Sequence, residues 1–218
     1  MSKTNIDKII EKVYQEKEDE IKAKTQSFSQ INHSNYHQTF LELAFVILAA
    51  GTSAQLALKT VGILSKNNFV FDKNLPEIIS KLKECYRFYN VRGKYIFNTR
   101  NYIREEYDDS FEKIFKSFSS HYERRAFFSL NSSIQGVGMK AASHFLRNIG
   151  FVDYAILDKH ILNIMRECGL ISEDFSLLNE KNYIKIEEIL RKIALKHKVT
   201  LSTLDLILWY YKTGKIIK

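Results

Sequence analysis

The chain has 218 residues, 45% hydrophobic and 13% aromatic, enough apolar material for a buried core and too much for global disorder. Lys and Arg outnumber Asp and Glu by 33 to 25, and a net charge of +8 favours a polyanion, foremost nucleic acid, over acidic or neutral partners. A charged, periodic N-terminus excludes a signal peptide, and the longest apolar run, Leu43 to Ala50, is too short to cross a bilayer.

Ile6, Ile9, Ile10, Val13 and Tyr14 recur at helical spacing and predict a first helix, followed by a polar connection from Ser27 to Asn35. Phe40 to Ala50 is apolar on almost every side, as a central buried helix requires. Gly51 can end it in a left-handed conformation, and Thr52 or Ser53 can cap the next helix, through about Ser65. Asn74-Leu75-Pro76-Glu77 combines an N-cap, a first-turn proline and an acid three residues on, predicting a helix to about Phe88. Another spans about Val91 to Tyr107, within which Tyr95 to Phe97 is ambiguous with a short strand. Ser120 and Glu123 suggest a capping box for a helix through Leu130.

After a glycine turn comes a helix from Met139 to Ile149, stopped by Gly150. Asp158 caps one through Glu167, stopped by Gly169. Helices over about Glu180–Lys198 and Thr203–Lys212 complete an all-α fold. Two isolated cysteines, Cys85 and Cys168, cannot build a structural zinc site or a four-cysteine iron–sulfur cluster by themselves, and they suit a reduced, intracellular setting.

The chemistry concentrates in Gly136-Val137-Gly138-Met139-Lys140 and, eighteen residues after the lysine, Asp158. A glycine-paired turn opening a helix presents unpartnered backbone N–H groups to a phosphate. A lysine in that first turn sits at the positive end of the helix dipole, which disfavours its ammonium form, and partial burial would act in the same direction. A carboxylate brought alongside would complete an amine nucleophile with a partner for developing positive charge. The turn alone also fits an ordinary helical corner, Lys140 a solvated phosphate ligand, and Asp158 a plain N-cap.

The run Gly136-Val-Gly-Met-Lys-Ala-Ala-Ser-His-Phe-Leu-Arg-Asn-Ile-Gly150 is followed by Ala155-Ile-Leu-Asp-Lys-His160. Arg87-Phe-Tyr-Asn-Val-Arg-Gly-Lys-Tyr-Ile96 precedes them, and the chain closes on Leu204-Asp-Leu-Ile-Leu-Trp-Tyr-Tyr-Lys-Thr-Gly-Lys-Ile-Ile-Lys218. From about Phe40 onward, this order and spacing resembles the archaeal-type (type 2) 8-oxoguanine DNA glycosylase/AP lyases of the helix–hairpin–helix superfamily. One departure is Gly51, where that family suggests a polar residue such as asparagine. The sister endonuclease III branch is disfavoured, because its four-cysteine cluster has no counterpart here.

The resemblance implies two helical subdomains with the active site in the cleft between them, Lys140 and Asp158 facing one another. Residues 34–151 would form the central subdomain with the hairpin and 152–218 the C-terminal one, the N-terminal helix (1–33) packing with the latter. It implies excision of 8-oxoguanine from double-stranded DNA by base flipping, then strand cleavage at the abasic site. Lys140 would attack the sugar C1′ and form a Schiff base, and Asp158 would stabilise positive charge on the sugar. Lys218 and Trp209 would recognise the damaged base, the terminal carboxylate accepting from its N7 hydrogen and the indole stacking on it. Gln135, Gly136 and Gly138 in the hairpin, with Arg87, Phe88 and Arg92, would hold DNA; Trp209 and Phe88 also fit simple core packing.

No cofactor, catalytic metal or membrane is expected, although some hairpins of this type hold a monovalent cation on backbone carbonyls. His144 and His160 read as packing residues, and Asp153 is a rival carboxylate without the motif match. A cytoplasmic, nucleoid-associated monomer is the expectation. The alternatives are a non-catalytic helix–hairpin–helix DNA-binding module and a glycosylase/lyase for another damaged base.

Overall fold

The computed structural model describes residues 4–175 and 179–216. Among them every regular element is helical: α1 (Ile6–Ser29), α2 (Tyr36–Ala49), α3 (Ala54–Ser65), α4 (Phe69–Asp72), α5 (Leu75–Lys83) and α6 (Tyr89–Tyr107). Then come α7 (Phe111–Lys116), α8 (His121–Leu130), α9 (Met139–Asn148), α10 (Lys159–Glu167), α11 (Glu180–Lys196) and α12 (Leu201–Thr213). No helix among the described residues is long and apolar enough to cross a membrane.

Local chemistry sets most boundaries. Ser53 caps α3, Ser120 caps α8, and Asn74 with Glu77 forms a reciprocal capping box at α5. Gly51 ends α2 with φ of +82°. Three boundaries differ from the sequence expectation. Helix α1 continues through Ser29, because Phe28 is buried and the hydroxyls of Ser27 and Ser29 bond back to the carbonyls of Lys24 and Gln26. Helix α5 stops at Lys83, where the chain turns so that the Tyr86 hydroxyl donates to the Leu48 carbonyl. Phe88 therefore flanks the start of α6, and Tyr95–Phe97 lies inside that helix. The short helices α4 and α7 escaped the sequence reading because one or two turns give too little periodicity.

The chain divides into two compact units. One is Ile31–Phe145, holding α2 to α8 and the start of α9. Its core gathers Phe40, Leu43, Ile47, Ile96 and Phe111, with Phe128 and Phe145 packed edge-on at 4.9 Å. The other comprises the described residues of Met1–Gln30 and Leu146–Lys218. There α1 packs chiefly on α12, burying Ile9, Ile10, Val13 and Ile21 with Leu204 and Ile207.

Two polar contacts and one close backbone approach tie this second unit together. Arg147 and Asp205, 2% and 3% exposed, form an ion pair at 2.7 Å. Asp7 at the start of α1 accepts from Lys196 Nζ and sits 2.6 Å from His197 Nε2 at the end of α11. At Gly150 the backbone has φ of +96°, and an added Cβ would lie 2.9 Å from Ser29 Cα, so only glycine lets the two segments pass.

Lys196 and then His197 hold the Asp7 carboxyl below its ordinary 3.8, so its stabilisation is present above that value and lost as pH falls through the lower folded one. With the pair half-solvated, Asp7→Asn is expected to lower the unfolding free energy by ~0.5 kcal/mol at neutral pH. Urea unfolding of both proteins should show that difference shrink below pH 3.8.

Candidate active site

Helices α8 and α9 are joined by residues 131–138, and α6 holds that hairpin in place. The Gln135 N–H donates to Thr99 Oγ1 at 3.0 Å, and the Gln135 side chain accepts from Asn98 at 3.1 Å. Asn131 accepts from the Ser133 N–H through its Oδ1 and donates to the Tyr102 hydroxyl at 2.9 Å. Four contacts thus pin the hairpin to α6 or fold it on itself.

The two glycines do different work. Gly136 has φ of +77°, and an added Cβ would fall 2.4 Å from Tyr95 Cδ2, inside the ring's contact distance. Gly138 meets nothing within 4 Å and has no left-handed φ, so the fold itself does not demand glycine there. Its missing side chain leaves the backbone open to close approach from outside. The first backbone bond of α9 runs from the Ala142 N–H to the Gly138 carbonyl at 2.9 Å. The N–H groups of Met139, Lys140 and Ala141 therefore find no acceptor among the described residues. They form a row of donors at the positive end of a helix, with the Lys140 side chain in the same turn.

Lys140 is exposed, which corrects the expectation of partial burial. The buried apolar face of α9 belongs to Ala142, Phe145 and Leu146, and position 140 falls outside that stripe.

Of the other DNA-binding candidates of this unit, Arg92 lies beside the hairpin, its Nη1 3.1 Å from where a Cβ on Gly136 would stand. Arg87 is exposed and lies over the Phe88 ring at 4.3 Å. Phe88 is half-buried, its ring 3.5 Å from where a Cβ on Gly51 would stand. Arg92 donates to the Ala50 carbonyl at 3.1 Å and lies over the Tyr95 ring at 5.5 Å. It therefore braces the end of α2 and the wall behind Gly136, a structural duty that the sequence reading did not give it. Tyr95 was missed altogether, because the ambiguous segment hid a helical face that carries the hairpin.

In the other unit Asp158 is the N-cap of α10. Its Oδ1 accepts from the N–H of His160 at 2.8 Å and of Ile161 at 3.0 Å, and its Oδ2 takes no hydrogen bond among the described residues. One oxygen is thereby anchored while the second remains available to charge that develops nearby. The His160 ring meets the Trp209 ring edge-to-face at 5.3 Å, so one residue touches both groups, the capping carboxylate through its backbone N–H and the lone tryptophan through its ring. Trp209 is half-buried, and its indole Nε1 is buried without an acceptor among the described residues. Asp153, the rival carboxylate, is engaged by Arg191 at 3.9 Å. Lys218 lies outside the described residues. No cluster of three or more His, Cys, Asp or Glu that could hold a metal occurs among the described residues.

Among the described residues the fold is all helical, and the short turn from α8 into α9, with its glycines and free backbone donors, is the arrangement of a helix–hairpin–helix protein. A family model for 8-oxoguanine DNA glycosylase matches residues 21–199. The 8-oxoguanine DNA glycosylase/AP lyase of Picrophilus torridus is 36% identical over 199 residues, 91% of this chain and 90% of that protein. Its counterpart in Methanocaldococcus jannaschii is 35% identical over 215 residues, 96% of this chain and 99% of that protein.

The crystal structure of the Methanocaldococcus jannaschii 8-oxoguanine glycosylase/lyase in complex with a 15mer DNA containing 8-oxoguanine superposes with a TM-score of 0.86 at 34% identity. The overlap covers 97% of this chain and 98% of that one. The 8-oxoguanine DNA glycosylase of Thermotoga maritima gives 0.83 at 31% identity over 97% of each chain. The chain belongs to the 8-oxoguanine DNA glycosylase family.

Gly136→Ala is expected to destabilise the protein by about 2 kcal/mol, through the left-handed φ and the clash with Tyr95, whereas Gly138→Ala should leave stability within about 0.5 kcal/mol of wild type. Thermal melts of the two variants check the contrast.

Proposed function

We propose that this protein excises 8-oxoguanine from double-stranded DNA and then cleaves the abasic strand, as a bifunctional DNA N-glycosylase and AP lyase. Family membership across nearly the whole chain carries this reading, and the exposed lysine among free backbone donors at the start of α9 agrees with it. The hairpin residues Gln135, Gly136 and Gly138 would receive the phosphate backbone, Gly138 by allowing close approach. Because these donors read no base, recognition of the lesion must come from elsewhere.

Base flipping brings the damaged nucleotide to the protein. Neutral Lys140 Nζ forms a bond to C1′ as the C1′–N9 bond breaks, and the base leaves with its electron pair and a proton. Asp158 stabilises the positive charge that spreads over C1′ and the ring oxygen as that bond stretches, with Oδ2 the available atom. Ring opening gives an imine, and loss of a C2′ proton then expels the 3′ phosphate. An amine can add only without its extra proton, so the step runs through the neutral form of Lys140.

Trp209 stacks on the extruded base, and Lys218 supplies the acceptor that separates the N7 hydrogen of 8-oxoguanine from the N7 lone pair of guanine. Arg87 and Phe88 press into the space left by the flipped nucleotide, and Arg92 supports them from behind. A monomer is sufficient for this chemistry, and its place is with the chromosome in the cytoplasm.

Borohydride trapping on a duplex containing 8-oxoguanine tests the central step. A covalent adduct is expected from the wild type and none from Lys140→Gln; wild-type binding without an adduct would instead establish a non-catalytic DNA-binding module. Gly138→Ala should weaken duplex binding at unchanged melting temperature. Deletion of Lys218 should lower excision of 8-oxoguanine by about 10- to 100-fold, the scale of a lost base-reading hydrogen bond with its unpaired partner, while sparing cleavage of a preformed abasic site. Equal loss on both substrates refutes the tail's role in recognition, and activity retained on a different lesion assigns the enzyme to that lesion.

A further inference from the structure

The stretch from Tyr154 to Leu157 forms no helix or strand, yet all four residues are buried. Backbone groups in such a place must find partners, and here they find side chains remote in sequence. From α11, the Tyr183 hydroxyl accepts from the Leu157 N–H at 3.2 Å and donates to the Ala155 carbonyl at 2.9 Å. Glu187 of the same helix accepts from the Ala155 N–H at 3.3 Å. From α12, Asp205 Oδ1 accepts from the Ile156 N–H at 2.8 Å while its Oδ2 takes Arg147. The Asp158 N–H closes the set on the Ile156 carbonyl at 2.8 Å.

Every peptide N–H from Ala155 to Asp158 is therefore bonded, three of the four to buried side chains. Burying three polar groups where an apolar segment would pack is costly, and the burial of Asp205 pushes its carboxyl up to about 6 against the pull of Arg147. What the cradle delivers at its end is the Asp158 carboxylate, gripped upstream by these bonds and downstream by its own cap.

We propose that Tyr183 and Asp205 are positioning residues that aim the Asp158 carboxylate for cleavage of the glycosidic bond. The inference rests on the role given to Asp158 above. Both side chains are only 3% exposed, so they act through the backbone they hold. Displacement of a reacting group by about an ångström can lower a rate 100-fold, and loss of the Tyr183 hydroxyl frees two peptide groups directly before Asp158.

Attack of Lys140 on the open aldehyde of a preformed abasic site generates no sugar cation and needs no such aim. The test is therefore a ratio: single-turnover excision of 8-oxoguanine from a duplex, divided by single-turnover cleavage of the same duplex carrying an abasic site. Full-length wild type, Asp158→Asn, Tyr183→Phe and Asp205→Asn are compared. Tyr183→Phe, close in shape to the wild type, is expected to lower the ratio by about 10- to 100-fold, in the direction of Asp158→Asn.

A ratio unchanged in Tyr183→Phe, whether both rates fall together or neither falls, overturns the proposal. A ratio unchanged in Asp158→Asn overturns instead the reading of Asp158 on which it rests. Should Asp205→Asn fail to fold, as its melt would reveal, Tyr183→Phe decides alone.

Discussion

The carboxylate of Asp205 is the constraint on which one half of the molecule depends. One oxygen neutralises the guanidinium of Arg147 at the end of α9, and the other fixes the Ile156 backbone between α9 and α10. A single residue of α12 thereby joins two stretches that are 58 and 49 residues away in sequence. Neither charge could stay in that interior without the other, since an uncompensated buried ion costs several kcal/mol. The pair does little for net stability compared with a well-packed apolar core, but a rearrangement of these segments that parted it would strand a buried charge.

In the other unit, bonds play the same part with less charge. Thr99, Asn98 and Tyr102 of α6 hold the hairpin through uncharged hydrogen bonds. The difference suits their tasks. A phosphate-binding turn must present its N–H groups outward, so its remaining polar atoms have to be retained by neighbours that do not compete for the anion. Arg92 keeps its positive charge near the hairpin while its fork is held by the Ala50 carbonyl.

Most of the fold was legible because helix ends are written in short-range chemistry. Asn74 with Glu77, Ser120, Asp158 and Gly51 each fixed a boundary within a residue or two of its place in the structure. Errors arose where a boundary depends on contacts far away in sequence, as with Tyr86 ending α5 through Leu48, or where a helix is one or two turns long, as with α4 and α7. The candidate site divides along the same line. Gly136, Gly138, Lys140 and Asp158 form a local pattern and were readable. Tyr95 behind Gly136, and Tyr183, Glu187 and Asp205 around the segment before Asp158, were not, because their partners are backbone groups that carry no sequence signature.

The double attachment of Asp158 has a consequence for inheritance. Asparagine caps a helix about as well as aspartate does, so a chain with an amide at this position would fold, persist in the cell and still grip DNA. On the role proposed for Asp158, such a chain would bind a lesion without excising it. Held on a lesion in that way, it would compete with active enzyme for the same site, to an extent set by how much of the altered protein is made.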